Sequence, residues 1–331
     1  MEVAVGLSGR TADHGEENAP GRTNEAITYR FGFNREIPMA LREFTVVLPS
    51  GRVLRSCEDG DPRGRPVFVL HGTPGSRLLY PPHVVDADTQ GIRLIGHDRA
   101  GYGGSTPLPD RRIADEASDV AAIADELGIE RFAVYGFSGG GAPSLACAAL
   151  LPERVVAVAS LAGVAPYGAE GLDWFSGMGE LNVEDFRLLL SDRPRWEEKT
   201  RKDGHDMRQA TPAQMTEMLS SLLSEVDRRE LSGGLARYFV QQARDGLKQK
   251  MEGLRDDGIS VVSPWGFELG SIRVPVQIWH GGEDRFVPFG HGKWLARRVP
   301  HAEAHLEPNE GHASLFVRRV PLVHRWLASK F

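Results

Sequence analysis

Residues 131–152 read RFAVYGFSGGGAPSLACAALLP, and how this stretch is read decides the fold. Its first part, "RFAVY" at 131–135, is short and apolar, with aromatic and β-branched residues, as in a strand buried on both faces. Its last part, "GGAPSLACAALLP", reads as a helix of small residues ending before Pro152. Between the two, Ser138 stands among Gly136, Gly139, Gly140 and Gly141. The segment "GFSGG" satisfies G-x-S-x-G, in which a serine sits on a strained strand-to-helix turn and its neighbours two residues away must lack a side chain. In a chain with 38 glycines the pattern alone is weak, so its setting has to carry it.

Outward from this turn the chain alternates. "REFTVVLPSGRVLRSC" at 42–57 reads as a hairpin turning at Pro49, Ser50 and Gly51. "PVFVL" at 66–70 and "IRLIG" at 92–96 read as further strands buried on both faces. Between 113 and 128, Ile113, Ala117, Val120, Ala121, Ala124 and Leu127 share one helical face, which Gly128 closes. "VVAVASLA" from Val155 is the next strand. From about Tyr167 to Glu268 the alternation gives way to helical, charged segments such as "TPAQMTEMLSSLL", where Thr211 can cap and Pro212 takes the first helical position. Alternation resumes with "VPVQIW", a helix around "HGKWLARRV", the strand "AEAHLEP" and a final helix at 315–328. The expected fold class is therefore α/β: residues 39–166 and 269–331 form a mostly parallel sheet flanked by helices, and 167–268 form a helical cap inserted into it. Residues 1–38 are polar, without apolar periodicity, and read as a loosely held arm.

Composition narrows the function. The chain has 331 residues, 41% hydrophobic and 25% charged, the mixture of a globular protein. Its net charge of −6 is spread along the sequence, which argues against nucleic acid as a partner. The two cysteines, Cys57 and Cys147, show no metal-ligand spacing and read as buried free thiols of a reducing compartment. The N-terminus has neither a basic start nor an apolar run of signal-peptide length, and no segment reaches the roughly 20 apolar residues of a membrane span. The expectation is a cytoplasmic protein acting on a small molecule, with no metal and no membrane span; oligomeric state is not readable.

A serine hydroxyl needs a base, and the base needs an acid that holds one tautomer. Both should follow the serine in chain order on loops at strand ends. Asp284 follows the strand "VQIW" and His312 follows "AEAHL", so the candidate catalytic set is Ser138, His312 and Asp284, with Glu283 as the alternative acid. His71 and His280 also end strands but precede glycine in turns and are read as backbone-organising. His291, His301 and His305 belong to predicted helix or strand. The oxyanion of a tetrahedral intermediate needs two backbone donors, assigned to Gly139 after the serine and to Thr73 in the loop after an earlier strand.

The blocks "HGTPG" at 71–75, "DRAGYGGS" at 98–105, "GFSGGG" at 136–141, "HGGEDRFVP" at 280–288 and "GHAS" at 311–314 resemble, in order, those of the α/β-hydrolase superfamily. The resemblance runs from about residue 41 to the C-terminus, leaving the arm and most of the insertion unmatched. It implies an eight-stranded, mostly parallel sheet, a Ser-His-Asp triad, no cofactor and a helical cap over the pocket. One departure is Ala100 between Arg99 and Gly101. Asp98, Arg99 and Tyr102 are expected to shape the loop beside the active site. Trp174, Phe175, Met178 and Trp265 are candidate walls of an apolar pocket, although residues of these types at such spacing are usually core. The expected activity is serine-dependent cleavage of a small or medium carboxylic ester. The loop at 71–75 also resembles that of proline iminopeptidases, for which Glu170, Asp173 and Glu180 could hold a substrate amine. A slow-turnover ligand-binding protein, and C–C hydrolase, peroxidase-like and lyase chemistry, stay open; epoxide hydrolases and dehalogenases carry Asp where this chain has Ser138.

Overall fold

A computed structural model describes residues 41–331 apart from 232, 249 and 250. The predicted arm, 1–38, lies outside the described residues, as do positions 39 and 40. The strands are β1 (Arg42–Val47), β2 (Val53–Gly60), β3 (Arg65–Leu70), β4 (Ile92–His97), β5 (Phe132–Phe137), β6 (Val155–Leu161), β7 (Val276–Gly281) and β8 (Glu303–Glu307). They form one eight-stranded sheet in the order β1-β2-β4-β3-β5-β6-β7-β8. Only β2 runs antiparallel to its neighbours, β1 and β4; the other pairings are parallel.

The parallel centre is where the continuous apolar runs fall, since helices cover both faces. Helices α1 (Pro81–Thr89), α2 (Asp115–Glu126) and α3 (Gly141–Leu150) connect the early strands. Between β6 and β7 come α4 (Glu180–Ser191), α5 (Arg193–Gln209), α6 (Pro212–Met218), α7 (Glu225–Glu230), α8 (Gly234–Gly246) and α9 (Glu252–Val262); α10 (Phe289–Arg298) and α11 (His312–Ala328) complete the chain. Because strand side chains alternate between faces, Phe68, Val134, Val158 and Ile278 pack in one core with Val120, Ile123, Leu145 and Leu295 of α2, α3 and α10. Val67, Ala133, Ala157 and Trp279 pack in the other with Val84 of α1 and Leu315, Val320 and Val323 of α11. Among the described residues no helix is long and apolar enough to cross a membrane.

Several local expectations hold. Gly51 takes a φ of +83° in the β1–β2 turn. The Thr211 hydroxyl accepts the Gln214 N–H and the Gln214 side chain accepts the Thr211 N–H, a complete capping box behind Pro212. Cys57 and Cys147 are buried and free. Others need correction. Ala121 of α2 and Leu127 just past its end are only half-buried, and on the helix Ile123 is buried along with two carboxylates, Glu116 and Asp119. Those carboxylates are buried because partners wait for them: Glu116 sits 2.6 Å from His97, and Arg52 donates to Asp119 at 2.7 and 2.9 Å. Periodicity of apolar residues cannot see such pairs. His301 lies in the turn between α10 and β8, in the left-handed region at φ +55°, rather than in a helix or strand.

Candidate active site

Sheet register assembles the site. Leu70 pairs with Gly136, so the ends of β3 and β5 lie side by side and the 71–75 loop meets the turn after β5. Ser138 holds that turn with a φ of +54°, a conformation an L-residue rarely adopts. A Cβ on Gly136 would lie 2.0 Å from the Gly140 carbonyl oxygen, and one on Gly140 would lie 2.1 Å from that of Leu70. Both clashes are with backbone, so no rotamer change relieves them. The glycines permit the close passage of β5, the turn and the end of β3 that presents Ser138. A Cβ on Gly72 would be 3.3 Å from the Ser138 Cβ, and one on Gly139 would be 3.1 Å from the Thr73 nitrogen, so the two proposed oxyanion donors lie on adjacent backbone segments.

Two strands further along, Gly281 pairs with Glu307, which places the loops after β7 and β8 together. The His312 Nδ1 donates to Asp284 Oδ2 at 2.7 Å. The other oxygen of Asp284 accepts the N–H groups of Phe286 at 2.8 Å and Val287 at 2.9 Å, so the carboxylate is fixed from both sides. With Nδ1 carrying the hydrogen, the Nε2 of neutral His312 presents its lone pair. The imidazole is held between Phe286, stacked at 4.6 Å, and Phe137 at 4.8 Å. His280 lies farther from Asp284, at 3.8 Å, and its Nε2 donates instead to the Val287 carbonyl at 2.8 Å. His71 likewise serves backbone: Nε2 accepts the Arg99 N–H at 3.1 Å, leaving Nδ1 to donate to the Gly72 carbonyl at 2.7 Å. Burial, reinforced by Arg99, pushes the His71 imidazole down to about 3.

Ser138, Gly139, Thr73 and His312 line one cavity of about 330 Å3, with Asp284 behind His312. This volume lies at the lower end of the range for small-molecule sites. The inserted helices supply much of the wall, through apolar residues such as Phe186, Met207, Met215, Leu219 and Phe239. Trp174 and Met178 are part of the lining; Phe175 and Trp265 are not. Trp265 is buried in the core, stacked on Phe267, and Phe175 packs edge-on to Trp174. Glu170, Asp173 and Glu180 are exposed and lie outside the lining. The cavity's charged side chains include Asp185 and Asp203, which share Lys199 at 2.7 and 2.6 Å.

The insertion also brings two carboxylates that the sequence reading did not single out. Asp227 of α7, fully buried, accepts the N–H groups of His312 and Ser314, each at 3.0 Å, and so caps the start of α11. Asp257 of α9 accepts from Arg99 at 2.6 and 2.8 Å, from Arg111 at 2.5 Å, from the Tyr102 hydroxyl at 2.7 Å and from the Thr73 hydroxyl. Burial alone would raise the Asp257 carboxyl, but Arg99 and Arg111 outweigh it and hold it far below the usual carboxylate range. In sequence "GLRDDGIS" reads as a polar helix turn, with nothing to mark either aspartate as buried. Of the 98–105 block, Asp98 accepts the N–H groups of Arg77 at 2.7 Å and Gly104 at 2.8 Å, which closes that loop on itself.

A parallel sheet whose strand ends converge on a serine turn and a carboxylate-bound histidine defines the hydrolase class of α/β proteins. The family described as the alpha/beta hydrolase fold matches residues 65–318, and the chain belongs to it. The chain is 27% identical over 260 residues to the AB hydrolase superfamily protein YisY of Bacillus subtilis, covering 76% of this chain and 87% of that one. It is 29% identical over 261 residues to the bifunctional esterase/perhydrolase DCH of Acinetobacter calcoaceticus, covering 77% of this chain and 88% of that one. A solved esterase from Thermogutta terrifontis shares the fold with a TM-score of 0.63 at 19% identity, over 87% of this chain and 98% of that chain.

Proposed function

We propose that the protein is a serine hydrolase that cleaves small or medium carboxylic esters through an acyl-enzyme. The observation that carries this reading is the 2.7 Å bond from His312 to a doubly anchored Asp284, with His312 and Ser138 opening on the same apolar cavity. Ser138 Oγ attacks the ester carbonyl carbon while His312 Nε2 takes its proton; Asp284 holds the imidazole and offsets the positive charge that forms. The N–H groups of Gly139 and Thr73 stabilise the oxyanion. Collapse of the intermediate expels the alcohol, which takes the proton from His312. A water activated by His312 then attacks the acyl-enzyme, and the acid leaves. Residues 167–268 act as a cap whose apolar wall holds the acyl or alcohol group. The free buried thiols fit a cytoplasmic setting.

An ester is favoured over an N-terminal peptide because the candidate amine-holding residues Glu170, Asp173 and Glu180 are exposed to solvent outside the cavity. The carboxylates that do line it at Asp185 and Asp203 are already neutralised in part by Lys199. The likeness to an esterase/perhydrolase over 77% of this chain supports the same choice. Turnover of a p-nitrophenyl ester by Ser138→Ala is expected to fall by at least about 10,000-fold, with loss of fluorophosphonate labelling. Wild-type turnover in that variant refutes the mechanism. Faster cleavage of a proline naphthylamide than of short esters selects the peptidase reading, and labelling with negligible turnover across an ester panel selects a slow ligand-binding protein.

A further inference from the structure

We infer that Asp257, on the inserted helix α9, is a positioning residue that aims the Thr73 N–H at the reacting carbonyl oxygen by way of Arg99. The inference rests on the reading of Thr73 as an oxyanion donor and concerns how that donor is held. In a trans peptide the C=O and the following N–H point in opposite directions. The Gly72 carbonyl accepts from His71 Nδ1 at 2.7 Å and from Arg99 Nη2 at 3.3 Å. Fixing that carbonyl on one side turns the Thr73 N–H to the other; the Ser138–Gly139 turn is close by, since a Cβ on Gly139 would lie 3.1 Å from the Thr73 nitrogen. His71 and Arg99 together therefore clamp the donor's peptide plane, and what orients Arg99 is Asp257, which takes both terminal nitrogens of its guanidinium.

The same carboxylate reaches the loop directly, accepting from the Thr73 hydroxyl, which also receives Arg99 Nη2 at 3.2 Å. Five donors on one buried carboxylate leave it no freedom, and Arg99 and Tyr102 are themselves fully buried. Helix α9 is seated closely enough to transmit this. The Gly253 N–H donates to the Gly101 carbonyl at 3.1 Å, the Gly253 carbonyl accepts from Arg111 at 3.2 Å, and a Cβ on Gly253 would strike the Tyr102 ring at 2.6 Å. A neutral amide at 257 could keep the shape but not balance Arg99 and Arg111, so charge, not packing alone, is what the site requires.

The test separates aim from folding. Asp257→Asn is purified, its sites are counted by fluorophosphonate titration, and kcat is expressed per titrated site on a p-nitrophenyl ester. A positioning role predicts a kcat per site lowered by about 10- to 100-fold, KM within about twofold of wild type, and affinity for a trifluoromethyl ketone transition-state analogue falling in step with kcat/KM. A purely structural role lowers the number of titratable sites but leaves each turning over at the wild-type rate, and that result overturns the inference. If Asp257→Asn does not fold, Thr73→Val keeps the Thr73 N–H but removes the hydroxyl that ties the loop to Asp257 and to Arg99; a several-fold loss of kcat per site supports the inference, and a wild-type kcat per site overturns it. Failure of the wild-type protein to label at Ser138 sinks the serine-hydrolase reading and this inference together, whereas normal wild-type labelling with an unimpaired Asp257→Asn sinks the inference alone.

Discussion

At Ser138 the backbone is held in the left-handed region, a placement that costs of order 1–3 kcal/mol for a residue with a Cβ. It persists because β5, α3 and the end of β3 are packed around it, and the two glycines on either side remove the atoms that would prevent this. Gly136→Ala brings a methyl to 2.0 Å from the Gly140 carbonyl, which only a shift of the turn can relieve. That variant is expected to lose about 1–3 kcal/mol of stability and most of its fluorophosphonate labelling. A Gly136→Ala protein that labels at the wild-type rate would show that the turn tolerates what its geometry forbids.

Helices act as mounts for single side chains. His312 is the first residue of α11, so its backbone N–H is one of the four that a helix start leaves unpaired. Asp227 takes that N–H and the one of Ser314, while the Ser224 hydroxyl donates to Asp227 at 2.9 Å. A carboxylate there also suits the positive end of the helix dipole. Asp227→Ala strips two buried N–H groups of their acceptor and is expected to destabilise the protein by about 1–3 kcal/mol. Urea denaturation followed by circular dichroism measures it; an unchanged midpoint would mean water or a neighbouring acceptor replaces the carboxylate. Gly311 belongs to the same device, since a Cβ there would lie 2.3 Å from an Asp227 oxygen.

Over the whole molecule, several histidines are buried neutral. His71 is pushed down to about 3 and His291 to about 4, both chiefly by burial. The unfolded chain takes up protons on these groups near pH 6.5 while the native state does not, so stability falls as pH drops through that value. Each contributes a loss of about 2 kcal/mol between neutral pH and about pH 5. Asp98 and Asp119, whose carboxyls burial pushes up, oppose this and offset part of it. Asp257 acts in the histidines' direction only at lower pH, because its stabilisation is present above the ordinary aspartate range and is lost as acid protonates it. Urea midpoints at pH 7.5, 6 and 5 should decline in that order; a flat profile would show that the buried histidines titrate with the native state intact.

How much of this was legible in the chain depends on the range of the interaction. Continuous apolar runs ending in glycine, with helical faces between them, specified a parallel sheet, because burial on both faces leaves no alternation. Ser138, Asp284 and His312 stood out because parallel strands send all their C-terminal ends to one edge, so a strand-end position is visible in one dimension. The cap at Thr211, directly before Pro212, was legible because it is local in sequence, while its reciprocal partner Gln214 emerged only in the structure. The meeting of His312 with Asp284 at 2.7 Å, the exclusion of Phe175 and Trp265 from the cavity wall, and the roles of Asp227 and Asp257 were decided by tertiary structure alone. Asp257 reaches Thr73 across 184 positions and Asp227 reaches His312 across 85. No periodicity or spacing records such contacts: a buried carboxylate is stabilised by donors that only the folded chain assembles, and in sequence it is indistinguishable from a solvated one.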